Sequence, residues 1–231
     1  PMVMCYANGN GEINHQVIAH FDARAMGKVG LILTEANVVH PSGKGFESQL
    51  WIDKDKYIPR YHLLTNNITA RGSIVATQLY HGGIQSEVEQ PIGPSNIGRK
   101  KFPPPAQPQK MDQDLIEEIE ESFADAALRA KKSGFDMVEV HGTHGYLISE
   151  FLSPLTNNRE DKYGDDPALF ALEIIEKIRK KCGKEYPIIF RLMSDEFQEG
   201  GVKFDEVKET AKRLEEAGVN AFNITGGNYD T

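Results

Sequence analysis

Residues 134–164 read GFDMVEVHGTHGYLISEFLSPLTNNREDKYG, and the fold turns on how this stretch is read. Met137 to Val140 is a short apolar and β-branched run interrupted only by Glu139, which marks a strand. The run breaks at Gly142 and Gly145, and His141, His144 and Tyr146 sit beside those glycines. Three side chains that exchange protons therefore leave one strand end. In a (β/α)8 barrel the C-terminal ends of the strands are where active sites are built. Two imidazoles can hold a developing oxyanion, and a phenol can hand over a proton.

Working outward, strand-like and helix-like segments alternate. Asn14 caps a helix running to Met26, with Val17, Ile18, Phe21 and Ala25 on one face. Residues 29–39 and 73–79 are continuous apolar runs of the kind found in parallel sheets covered by helices. A helix reaching Ala70 separates them. Asp112 caps a helix to Lys132, with Leu115, Ile119, Phe123, Ala127 and Ala130 expected inward. Pro167 starts another, with Leu169, Leu172, Ile175 and Ile178 as its stripe, and Arg179 to Lys181 at its solvated end. Residues 187–193, the amphipathic helix Phe204 to Ala217 and residues 220–225 follow. Residues 1–6 (PMVMCY) read as the end of a first strand, and residues 85–109, with Pro103 to Pro105, as a long surface loop near the mouth of the site.

Alternating units of this kind mean parallel βα repeats. A doubly wound sheet fits the periodicity nearly as well, but polar residues spread over several strand ends favour the barrel. The expected fold is therefore α/β, a (β/α)8 TIM barrel. About six of its strands are in hand, the start of the first and strands 7–8 being absent, so residues 1–231 read as one partial barrel domain. A net charge of −8 with mixed signs argues against nucleic acid or a membrane surface as partner. Two cysteines, Cys5 and Cys182, lie far apart without a CxxC pattern and fit a reduced, cytoplasmic setting. Cys5 reads as buried and inert rather than as a reactive thiol.

The motif also resembles the Old Yellow Enzyme group of flavin oxidoreductases. The likeness rests on His141, His144, Gly145, Tyr146 and Leu147, then Phe151 to Leu155, Asn157, Arg159, Asp161, Tyr163 and Gly164. It is nearest the bacterial NADH:flavin oxidoreductase and enoate reductase (2,4-dienoyl-CoA reductase-like) branch, and covers essentially the whole chain. The resemblance implies FMN as cofactor, NADH or NADPH as reductant, and the activated C=C bond of an α,β-unsaturated carbonyl compound as substrate. It implies an enzyme acting on CH–CH bonds. His141 and His144 would bind the carbonyl oxygen, and Tyr146 would protonate the α-carbon. Pro1, Met2, Val3, Ala36, Gln78, His141 and Arg191 would contact the flavin, Arg191 compensating negative charge on its reduced form. Where the family continues His-x-Gly-Arg, this chain has Ile84, which puts that arginine's role in doubt.

Other readings of the same residues stay open. His141 and His144 have zinc-like spacing, but no third ligand stands at a convincing distance, so no metal is expected. His81 reads as packed behind the site, and Glu139 as a structural lumen carboxylate paired with a base, since a buried charge needs a partner. An amine dehydrogenase or demethylase on the same barrel, or a non-catalytic barrel remnant, are the alternatives to the ene-reductase. Beyond the small-molecule substrate, further copies of the chain are the one partner left open. Any iron–sulfur cluster or FAD, which larger relatives add after the barrel, would belong beyond Thr231. The usual phosphate site after strands 7 and 8 would also lie there.

Overall fold

A computed structural model describes residues 1–97 and 107–228. Pro103 to Pro105 and Tyr229 to Thr231 lie outside the described residues. In chain order the elements are α1 (His15–Met26), β1 (Leu31–Val38), α2 (Ile58–Ala70), β2 (Ile74–Tyr80), β3 (Ile92–Gly93), β4 (Gln109–Lys110), α3 (Gln113–Lys132) and β5 (Met137–Gly142). They continue with α4 (Leu147–Leu152), α5 (Lys162–Asp165), α6 (Leu169–Cys182), β6 (Ile188–Met193), α7 (Phe204–Ala217) and β7 (Ala221–Thr225).

Five strands form one wholly parallel sheet in the order β1-β2-β5-β6-β7, the strands of the sheet following one another as they do in sequence. Sequential parallel order with helices in every interval is the winding of a (β/α)8 barrel, not of a doubly wound sheet, whose order reverses at a switch point. The strand interiors are largely buried because helices cover one face and lumen side chains fill the other. The helices start where the sequence caps them: the Asn14 side chain accepts from Val17 N, and Asp112 from Leu115 N. Gly218, at φ 119, ends α7 in a conformation that β-carbon-bearing residues avoid.

Several expectations change. Pro1 to Tyr6 forms no strand ladder. Met4 N–H donates instead to the Glu35 carboxylate at 2.7 Å, and Cys5 at φ 55 breaks the extended run. Cys5 itself is exposed, not buried. The buried face of α3 adds Ile116 and Glu120, while Leu115 is only half-buried. In α6 the core face is Phe170, Ala171, Ile174, Ile175 and Ile178, leaving Leu169 and Leu172 at its margin. Arg179 is no solvated end. Its guanidinium donates to the carbonyls of Gly183 and Lys184 at 3.1 Å and to Asn220 at 2.6 Å, tying α6 to the turn before β7. Residues 91–95 are buried rather than part of a surface loop, because they carry β3 and pack under Arg159.

Candidate active site

Lumen-facing side chains are chosen by strand parity. Ala36 pairs with Gln78 across β1 and β2, Gln78 with Glu139 across β2 and β5, and His141 with Arg191 across β5 and β6. Residues two apart on a strand share a face, so Gln78 and Tyr80 point the same way, as do Glu139 and His141. At the C-terminal ends of these strands lies a cavity of about 240 Å3. Every residue proposed from sequence lines it: Pro1, Met2, Val3, Ala36, Gln78, His141, His144, Tyr146 and Arg191. Cys5, Phe46 and Tyr80 line it as well. Of these, Tyr80 was legible in advance from its parity with Gln78; Phe46 sits on a loop, where no periodicity points.

The two histidines and the tyrosine form one aromatic cluster. The His141 ring stands edge-on to His144 at 5.2 Å and to Tyr146 at 5.1 Å between centroids. Tyr80 packs edge-on against Tyr146 at 4.6 Å and closes the group from β2. The turn between strand and helix brings them together. His144 and Gly145 both take left-handed backbone angles, φ 61 and 68, which is strained for the histidine and easy for the glycine. The Gln85 side chain holds that turn, its amide nitrogen donating to His144 O at 3.0 Å and also to Gly145 O. At Gly142 a β-carbon would come within 2.3 Å of the Phe190 ring, so β5 meets β6 at its end without a side chain between.

Electrostatics keep both imidazoles neutral. Burial, then His144 and Arg191, hold His141 well below the usual imidazole range. Burial, then Arg191, lower His144 to about 4. A neutral imidazole still donates one N–H. His144 Nε2 lies 3.3 Å from Thr225 Oγ1, while the buried His141 Nδ1 and Arg191 Nε have no hydrogen-bond partner among the described residues. Arg191 Nη1 donates to Pro1 O at 3.3 Å.

Behind the cavity wall, Glu139 is fully buried. Contrary to expectation its partners are amides, not a base: Gln78 Nε2 at 2.6 Å and Asn223 Nδ2 at 2.8 Å. His81 is buried, as expected, away from the cavity. It accepts from Gly83 N at 3.0 Å and faces Ser42 Oγ at 2.9 Å, and burial lowers it to about 3. Ile84, standing at the family's arginine position, is buried and offers its backbone N–H to Glu150 at 2.8 Å. Among the described residues no group of three or more His, Cys, Asp or Glu is arranged to hold a metal ion. No helix among them is long and apolar enough to cross a membrane.

The lining suits a flat heteroaromatic ring. Val3 and Ala36 give it apolar contact, Gln78 and the orphaned Arg191 Nε give it polar partners, and the His–His–Tyr cluster faces the same cavity.

The sequence profile of the NADH:flavin oxidoreductase / NADH oxidase family matches residues 1–229. An NADH oxidase of Thermoanaerobacter brockii is 41% identical over 240 residues, covering 100% of this chain and 37% of its own length. The solved structure of a 2-naphthoyl-CoA reductase in complex with 2-naphthoyl-CoA superposes with a TM-score of 0.91 at 29% identity, over 98% of this chain and 37% of that one. The Old Yellow Enzyme homologue of Zymomonas mobilis superposes with a TM-score of 0.87 at 25% identity, over 98% of this chain and 68% of that one. The chain thus spans well under half the length of the NADH oxidase it matches.

Proposed function

The chain belongs to the NADH:flavin oxidoreductase / NADH oxidase family, an FMN-dependent group, and from that premise we propose that it contributes the ring-binding and substrate-binding part of an ene-reductase. The observation that carries the reading is one cavity in which two neutral imidazoles and a phenol face the same space as Gln78 and Arg191. Residues 1–231 act here as part of an FMN-binding barrel. NADH or NADPH is the reductant, and an α,β-unsaturated carbonyl compound, free or as a thioester, is the substrate.

When bound, FMN supplies hydride chemistry that no side chain carries. Val3 and Ala36 would meet the ring, and Gln78 and Arg191 its polar edge. His141 and His144 donate N–H groups to the carbonyl oxygen of the substrate. As that oxygen gains charge the two bonds strengthen, and each well-placed donor of this kind is worth on the order of 3 kcal/mol. Neutrality matters: a donor that stays uncharged needs no anion beside it and does not repel Arg191. Tyr146 gives its proton to the carbon next to the carbonyl, so the double bond gains one hydride and one proton. Tyr80, packed against the Tyr146 ring, keeps that phenol at the turn.

The test is direct. Tested in a full-length protein that carries these residues within a complete barrel, the chain should bring a flavin absorption spectrum, oxidise NAD(P)H anaerobically in the presence of a cyclic enone, and yield the saturated ketone. Turnover of a secondary amine in place of the enone would favour the amine dehydrogenase reading. Absence of both flavin and turnover would leave only a non-catalytic barrel.

A further inference from the structure

The fully buried Glu139 carboxylate is spent on two side-chain amides, 2.6 Å from Gln78 Nε2 and 2.8 Å from Asn223 Nδ2. No Lys, Arg or His forms an ion pair with it among the described residues. A carboxylate accepts hydrogen bonds and donates none, so the amide atom facing it must be nitrogen. That requirement removes the usual ambiguity of a glutamine side chain. The carbonyl branch of Gln78 is turned away from Glu139 and is left for whatever fills the cavity that Gln78 lines. Arg191, on the same cavity, brings a buried Nε–H that has no partner among the described residues. The pair presents an acceptor and a cationic donor. The polar edge of an isoalloxazine presents the complement, an imide N–H beside carbonyl oxygens.

We infer that Glu139 is a positioning residue: by holding the Gln78 amide nitrogen, it makes Gln78 meet the flavin's imide N–H as an acceptor. The inference rests on the flavin reading above. Glu139 does not touch the ring; it acts through Gln78. With a neutral amide at position 139 the lock is lost, since the NH2 introduced there can donate to the Gln78 carbonyl and let that side chain turn its own NH2 into the cavity. That NH2 would face another N–H.

The probe is FMN against FMN methylated at the imide nitrogen, with affinities measured by quenching of flavin fluorescence on adding the apoprotein of a full-length protein that carries these residues within a complete barrel. The parent should prefer FMN by about tenfold or more, since methylation removes the donor and leaves a buried acceptor unpaired. Glu139→Gln should bring the ratio close to one while thermal unfolding stays cooperative. The exchanged pair, Gln78→Glu with Glu139→Gln, should restore the preference, because the carboxylate moved to position 78 again turns an acceptor to the cavity. A preference that persists in Glu139→Gln, or a parent that binds both flavins alike, overturns the inference and leaves the flavin site standing. Should Glu139→Gln fail to fold, the exchanged pair decides: a ratio near one there overturns it as well. A parent that binds neither flavin removes the flavin reading, and the inference with it.

Discussion

Tyr146 is held by its neighbours more than by its own strand. It follows a left-handed turn at His144 and Gly145, and its ring is fixed edge-on between Tyr80 and His141. In the proposed reaction the phenol acts only when substrate carbon is protonated. Tyr146→Phe keeps the ring contacts and removes the proton. It should leave reduction of the flavin by NAD(P)H nearly unchanged and slow alkene reduction by about a hundredfold, the usual scale of a lost general acid. Stopped-flow traces of the two half-reactions read this, and equal slowing in both would mean that the tyrosine only packs. The same chemistry explains what could be read early at this scale. His141, His144 and Tyr146 announce themselves by type and by the glycines beside them. The amide partners of Glu139 did not, because one of them, Asn223, comes from a strand 84 residues further along and pairs only when the sheet closes.

Much of the conspicuous motif serves an element rather than the reaction. Asn157 donates to Phe151 O at 2.7 Å and Tyr163 O at 2.9 Å. Arg159 is buried, its guanidinium bonded to Pro94 O and Met111 O, each at 2.8 Å, and to Asp161 at 3.0 Å. These contacts fasten α4 and α5 to β3 and to the start of α3, and α4 carries the residues that follow Tyr146. Phe151 stacks on Phe170 at 4.1 Å and joins α4 to α6. Motif spacing therefore reports the clamp as strongly as the chemistry. Arg159→Met fills similar space but leaves two buried carbonyls without donors. It should lower the unfolding free energy by roughly 3 kcal/mol, in line with the loss of one partner of a buried charged group. Urea denaturation measures this, and a midpoint equal to the parent's would show that the clamp is redundant.

At the scale of the whole molecule, titration shapes the stability curve from two sides. His81 at about 3, His144 at about 4 and His141 well below its usual range stay neutral in the fold. An unfolded histidine takes its proton near 6.5, so the unfolded state binds more protons between those values, and stability falls as pH drops from 6.5 toward 4. Glu120, buried between α3 and α6 near Glu173 and bonded to Lys177 at 3.1 Å, is pushed up to about 8, chiefly by burial. Here the folded state holds the extra proton. Its contribution is complete below the ordinary 4.5 and is lost as pH rises through 8. Urea midpoints at pH 5, 6.5 and 8 should therefore peak at the middle value. Glu120→Gln should remove the decline between pH 6.5 and 8 and steepen the rise between pH 5 and 6.5, since the Glu120 contribution is lost across the whole window from 4.5 to 8, and a variant that still declines between pH 6.5 and 8 would rule Glu120 out as the cause.

The order of strands and helices, the choice of a barrel over a doubly wound sheet, and the cluster of His141, His144 and Tyr146 were all readable along the chain. Each rests on neighbours in sequence: alternation along a strand, a cap three residues from its target, glycines beside a turn. What could not be read that way required residues distant in sequence to meet. Pro1 to Tyr6 looked like a strand until the Glu35 carboxylate took the Met4 N–H. Arg179 looked solvated until the turn before β7 offered it Asn220. Cys5 looked like a core residue until its left-handed backbone turned it to the cavity. Hydrogen bonds and burial between remote segments carry no local period. They exist only once the parallel sheet has set its register, which is why the lock on Gln78 emerged from the fold and not from the letters around it.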